Sequence, residues 1–203
     1  MTMIYLDNAA TTKIHKVVLK EMIDVLKHLY GNPSSKYYEQ AIKAKDITEK
    51  SRQQVKKLFN ADGHQVVFNS GASEGNNHIL KSFFQDFKGK LIISSIEHSS
   101  ILEVADYLES KGVEVFKLPV DKYGQINSSD LINAIDENTR LVSVIFANNE
   151  TGVINDIDIL SKIAHDFGVP FHSDVTQAVG KINIDLEKLF KNIRVEVVTK
   201  NGL

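Results

Sequence analysis

Short, apolar, β-branched runs recur along this chain at intervals filled by stretches of helical periodicity, and that alternation narrows the fold more than any other property of the sequence. The runs are Val66–Phe68, Leu91–Ser95, Val113–Leu118, Leu141–Phe146, Val169–Ser173 and Val195–Thr199. Each is compact and mostly apolar, the pattern of a strand buried on both faces. Helices are predicted near 14–29, 36–59, 73–87, 99–111, 128–136, 156–167 and 176–189. Strand, helix, strand repetition predicts an α/β fold with a mostly parallel sheet flanked by helices.

Turn residues agree with those boundaries. Gly31-Asn32-Pro33-Ser34-Ser35 is a turn cluster, and its serines are available as caps for the long helix that carries Ala41, Ala44 and Ile47. Gly112 and Gly168 each close a helix just before a strand. The expectation is one continuous α/β layer structure preceded by an N-terminal arm over residues 1–14.

Composition excludes several classes of function. With 203 residues, 42% of them hydrophobic, the chain can bury a core of one domain or slightly more. A net charge of -2 gives no bulk electrostatic case for nucleic acid or an acidic membrane as partner. No apolar run reaches the roughly 18 residues of a membrane helix, and the N-terminus lacks the order of a signal peptide, so a cytoplasmic protein is expected. The absence of cysteine rules out a disulfide framework, a thiolate nucleophile and a thiolate metal site on this chain, and no metal site is expected.

In sheets of this kind ligands bind beyond the carboxyl ends of the strands, so the residues just after each run carry the most information. Ser70-Gly71-Ala72-Ser73-Glu74 follows the first run and opens a helix. Glycine permits close backbone approach, and free N–H groups at a helix start favour a phosphate; a plain turn with Ser73 as cap reads the same locally. Glu97-His98 follows the next run, where an imidazole can stack on a planar heterocycle, move a proton near neutral pH, or cap a helix. Asn148-Asn149-Glu150-Thr151-Gly152 places two amides at a strand end, either as ligands or as a turn closed by Gly152. Phe171-His172-Ser173-Asp174-Val175-Thr176-Gln177 delivers an aspartate to a strand end, where it can bind or cap. All four positions fall at one edge of one sheet.

Together with Tyr5-Leu6-Asp7-Asn8-Ala9-Ala10-Thr11-Thr12, the Gly31–Ser35 turn, Gly180-Lys181 and Asp185-Leu186, these segments make the chain resemble the N-terminal part of a cysteine desulfurase, in the class V aminotransferase group of fold-type I pyridoxal-phosphate enzymes. The resemblance implies a three-layer large domain over 15–203, incomplete at its C-terminus, with the C-terminal small domain absent. It implies pyridoxal 5'-phosphate as cofactor: Ala72 and Ser73 at the phosphate, His98 stacked on the ring and implicated in proton transfer, Asp174 at the pyridine nitrogen, and Asn149 and Gln177 on the phenolic oxygen side. Such an aspartate favours the protonated ring, which makes it an electron sink. The implied reaction converts L-cysteine to L-alanine and leaves a persulfide on an enzyme cysteine, for iron–sulfur clusters or thiolated tRNA. A homodimer and a sulfur-accepting or iron–sulfur scaffold protein are the implied partners.

The chain departs from the family pattern in two places. Tyr37-Tyr38-Glu39-Gln40 stands where the family commonly has a His and a Gly. After Val195–Thr199 the family continues through a Ser-containing stretch into His-Lys and Gly-Pro-Lys-Gly, whereas here Lys200-Asn201-Gly202-Leu203 follows. Lys200 falls near the place of the Schiff-base lysine by counting from Gln177, and several residues early by matching strands; the second register is preferred. The chain is therefore expected to be truncated and inactive alone as a desulfurase. The alternatives are a non-catalytic remnant that pairs with a full-length relative, another class V member such as a selenocysteine lyase, and an ordinary nucleotide-binding α/β domain, which would lack its Gly-rich fingerprint here.

Overall fold

The computed structural model describes residues 4–189. The chain forms two compact units, one running to Phe68 and the other starting at Asn69. In the first, α1 (Lys16–His28) and α2 (Glu39–Leu58) are the regular elements. The His15 Nδ1 accepts from the Val17 N–H at 3.4 Å to cap α1, while α2 buries only Ala41 and Ala44 along its length. Glu39 in its first turn and Lys56 and Lys57 in its last suit the helix dipole.

Ser34 and Ser35 do not cap α2. Its N-cap is Tyr38, with no side-chain cap bond, and Ser35 Oγ instead accepts from Tyr37 N–H within the turn. Asn32 organises that turn, its Oδ1 accepting from Ser34 N–H at 2.9 Å and its own N–H donating to the Tyr38 hydroxyl at 3.1 Å. Val66–Phe68 is also not a strand. The segment has no ladder partner among the described residues; Arg52 Nη1 donates to the Val66 carbonyl, the Arg52 guanidinium lies 5.0 Å from the Phe68 ring centre, and Val67 is exposed.

The second unit is the sheet. Its elements run α3 (Ala72–Phe83), β1 (Lys90–Ser94), α4 (Ser99–Ser110), β2 (Glu114–Leu118), α5 (Ser128–Ala134), β3 (Thr139–Ser143), α6 (Ile157–Asp166), β4 (Phe171–His172) and α7 (Leu186–Leu189). The four strands are all parallel, in the order β2-β1-β3-β4. The expected parallel sheet flanked by helices is what forms.

Strand β1 is buried along its whole length, with an apolar centre of Leu91, Ile92 and Ile93 between buried Lys90 and Ser94. Leu91 and Ile93 pack with Leu141 beneath Leu80 of α3, Phe84 at the C-cap of α3, and Ile101, Ala105 and Leu108 of α4. The pleat turns Ile92 to the other side, and α5 and α6 pack against each other. Each such side chain, fully buried, stabilises by roughly 1.5–3 kcal/mol. Strand β2 is the edge and reads differently, with Glu114 and Lys117 exposed.

Strand β4 is shorter than the expected Val169–Ser173, yet its pairing runs on as single backbone bonds. Val144 N–H donates to the His172 carbonyl and Phe146 N–H to the Asp174 carbonyl, both at 3.0 Å. The helix expected over 176–189 is instead a pair of turns, closed by Val179 N–H to the Val175 carbonyl and Ile182 N–H to the Ala178 carbonyl, followed by the single turn of α7. Gly180 in mid-segment disfavours helix propagation, and Asp174 engages Thr176 in a local turn at its start. The expected strand at 195–199 and Lys200 lie outside the described residues.

Candidate functional site

The strand order contains one reversal. From β1 the chain moves outward to β2, then returns past β1 to β3 and continues to β4 on the opposite side. At such a point the loops leaving the two central strands part, and a crevice opens beyond their carboxyl ends. Glu97-His98 follows β1, Asn148-Asn149 follows β3 and Asp174–Gln177 follows β4, so the sequence-derived positions share this edge.

Two side chains cross between the parting loops in opposite directions. Glu97, buried after β1, accepts through Oε1 from Ser94 Oγ at 2.5 Å and from the Ile145 N–H at 2.6 Å. Asn148, after β3, donates from Nδ2 to the Ile96 carbonyl at 2.9 Å. Its Oδ1 accepts from the Glu150 and Thr151 N–H groups and the Thr151 hydroxyl. Asn148 is thus the residue that closes this turn. Burial pushes the Glu97 carboxyl up to about 8 against the pull of the Ser94 and Ile145 bonds, and the charge of Asp174 adds to the rise. On β4, burial pushes the His172 imidazole down to about 4, opposed by Asp174. His172 Nδ1 lies 2.8 Å from Ser143 Oγ. At neutral pH both groups are held mainly uncharged.

Asp174 and His98 are brought into one hydrogen-bonded set. Asp174 Oδ1 accepts from the Thr176 N–H at 3.0 Å and hydroxyl at 2.5 Å, and Oδ2 accepts from Asn76 Nδ2 at 3.0 Å. Asn76 Nδ2 also stands 2.9 Å from Ser100 Oγ, which is 2.9 Å from His98 Nδ1. His98 is the N-cap of α4, with Nδ1 accepting the Ser100 N–H at 3.2 Å. Capping and a ligand-facing role are compatible, because the cap uses one ring nitrogen and leaves the other.

At the start of α3 the N-cap is Gly71, not Ser73, and no side chain caps the helix. Gly71 has φ +149°, and an added Cβ would meet nothing within 4 Å, so the backbone faces open space there. Ala72 and Ser73 are the first two helical residues, with amides aimed out of the helix. Glu74 is tied back, accepting from the Ser70 N–H and hydroxyl. An uncapped helix start beside small residues is an anion site in waiting. Asn149 is half-buried and makes no side-chain hydrogen bond to a described residue, while Gln177 Oε1 accepts from Lys181 Nζ at 3.0 Å. Among the described residues, no side-chain bond joins Asn149 to the set that links Asp174 to His98.

Sequence reading passed over Asn76 and Ser100, the two residues that link the others. A signal existed for Asn76: it shares a helix stripe with Leu80 and Phe84 at intervals of four, so an amide sits among core positions. Ser100 offered none beyond its closeness to His98.

The Aminotransferase class-V family model matches residues 4–191. The chain belongs to that family. Among class V relatives, cysteine desulfurase IscS of Buchnera aphidicola subsp. Schizaphis graminum is 42% identical over 195 residues, covering 94% of this chain and 48% of that protein. Cysteine desulfurase IscS of Methanosarcina thermophila is 40% identical over 189 residues, covering 92% and 46%. Solved structures superpose closely: SspA in complex with cysteine at TM-score 0.90 and 33% identity over 96% of this chain and 56% of that one, and a NifS-like protein at 0.86 and 38% over 91% and 52%. The chain spans about half the length of the curated relatives it matches. Class V aminotransferases and cysteine desulfurases in general depend on pyridoxal phosphate. Among the described residues, no helix is long and apolar enough to cross a membrane.

Proposed function

We propose that this chain supplies the cofactor-binding part of a cysteine desulfurase acting on L-cysteine. The observation that carries the reading is the Asp174 carboxylate, buried at the end of β4 and fixed on both oxygens within the crevice where β1 and β3 part. The donor set suits pyridoxal phosphate. The uncapped start of α3, with Ala72 and Ser73, would take the phosphate; Asp174 would meet the pyridine nitrogen; and His98 would lie against the ring. Asn149 and Gln177 would reach the phenolic oxygen side. When bound, the cofactor supplies an electron sink for bond cleavage at the amino acid.

The chain's own residues have distinct tasks in this reading. Asp174, an acceptor on both oxygens, keeps a protonated ring nitrogen paired. His98 holds one nitrogen on α4 and presents the other to the site, where it can hold or give a proton. Glu97, from beneath, keeps the loops after β1 and β3 in register. The 203 residues contain no cysteine, so the thiolate that accepts sulfur must be supplied from outside them. A second copy and a sulfur-accepting scaffold protein are the partners this reading assigns.

The test is a titration of pyridoxal phosphate into the 203-residue chain, followed by absorbance. Saturable binding is expected, weakened at least about tenfold by Asp174→Ala, which is roughly the loss of one charge-assisted contact. Alanine formation from L-cysteine by this chain alone should stay at background. Absence of saturable binding, or binding indifferent to Asp174, would sink the proposal.

A further inference from the structure

The bonds between Asp174 and His98 have a direction, and Asn76 sets it. Asn76 is fully buried on α3, and its Nδ2 gives one hydrogen to Asp174 Oδ2 and the other to Ser100 Oγ. The amide cannot be turned round, because Oδ1 would then face a carboxylate oxygen, acceptor against acceptor. Its Oδ1 is left without a partner among the described residues, the cost of serving both neighbours with the same nitrogen. Ser100 Oγ, having accepted from Asn76, has its own hydrogen to give, and His98 Nδ1 lies 2.9 Å away. The same nitrogen receives the Ser100 backbone N–H. A ring nitrogen that receives two hydrogens does not carry one, so the proton of the neutral ring sits on Nε2.

We infer that Asn76 is a positioning residue which, through Ser100, fixes His98 as the Nε2–H tautomer while holding Asp174 as an acceptor. One side chain thereby prepares both groups, which rests on the reading of Asp174 and His98 as the residues that face the cofactor ring. A carboxylate for the ring nitrogen and an N–H on the imidazole are then set before anything binds. Asn76 need touch neither cofactor nor substrate.

The measurement uses the full chain labelled with 15N-histidine and no added cofactor, so its outcome is independent of the proposed activity. Long-range proton–nitrogen correlation at neutral pH distinguishes the two tautomers, with the His98 signals identified by their loss in His98→Gln. The expected result is an Nε2–H ring whose Nδ1 signal is displaced by accepted hydrogen bonds. Ser100→Ala should move that signal toward the free acceptor position, and Ser100→Thr should restore it. Asn76→Leu should move it in the same direction, and the double variant no further than Ser100→Ala, as for two residues on one path. If Asn76→Leu fails to fold by circular dichroism, Asn76→Ala, which removes both donated hydrogens with a smaller side chain, takes its place with the same expectation. An Nδ1–H tautomer in the unaltered chain overturns the inference. So does a His98 signal unmoved by a folded Asn76 variant.

Discussion

Asn148 and Asn149 are neighbours in sequence with opposite duties. Asn148 commits its amide nitrogen to the Ile96 carbonyl and its amide oxygen to three donors of Glu150 and Thr151, whereas Asn149 makes no side-chain hydrogen bond to a described residue. Asn148→Ala is therefore expected to lower stability by about 1–3 kcal/mol, the range for stranding partly buried partners. Asn149→Ala should change it by less than about 0.5 kcal/mol, as an alteration away from any such feature, while weakening pyridoxal-phosphate binding. Urea unfolding and a cofactor titration on both variants separate the two roles; equal stability losses would refute the division. The sequence made both asparagines visible as candidates, since paired amides at a strand end need partners. It could not say which one the turn would claim, because that depends on a carbonyl from the loop after β1. Asn76 was hidden for a similar reason: its partners come from the first turn of α4 and from the loop after β4, the latter 98 residues away.

At the scale of elements, the turn before α2 is held by shape more than by caps. A Cβ added to Gly31 would lie 2.4 Å from the backbone carbon and oxygen of Gln40, in the first turn of α2. Backbone atoms there cannot give way cheaply, so Gly31→Ala is expected to destabilise the first unit by roughly 1–3 kcal/mol, the usual cost of overpacking. A lowered melting temperature with α2 helicity reduced in circular dichroism would show it; an unchanged melting temperature would refute it. The elements most legible from sequence were those buried on both faces or striped on one. Strand β1 and helices α4 and α6 fall within a residue or two of their expected limits. Val66–Phe68 has the composition of a strand without a ladder to join, and composition cannot supply the partner. The turns after Asp174 were read as helix because the local bond between Asp174 and Thr176 has no periodicity to betray it.

For the molecule as a whole, two buried groups shape the dependence of stability on pH, with opposite signs. Glu97 in the folded chain keeps its proton up to about 8, well above the ordinary 4.5, so the unfolded chain binds fewer protons in between and stability falls as pH rises through that window. His172 stays neutral down to about 4 against an ordinary 6.5, so stability falls as pH drops from 6.5 toward 4. Between about 4.5 and 6.5 the two slopes oppose each other; from 6.5 to about 8 only that of Glu97 is left, worth about 2 kcal/mol. Relative to the unaltered chain, Glu97→Gln should gain stability on going from pH 6.5 to 8, read from urea midpoints at the two pH values. Parallel midpoints would show that Glu97 is not the titrating group. The crossed bonds of Glu97 and Asn148 bear on dynamics as well, since each parting loop is anchored in the other and neither swings outward without releasing its neighbour. The Ile145 amide should accordingly exchange with deuterium slowly for a residue at a strand end. A molecule entering there meets a floor that is already immobile, and the entropy of ordering that floor was spent when the chain folded.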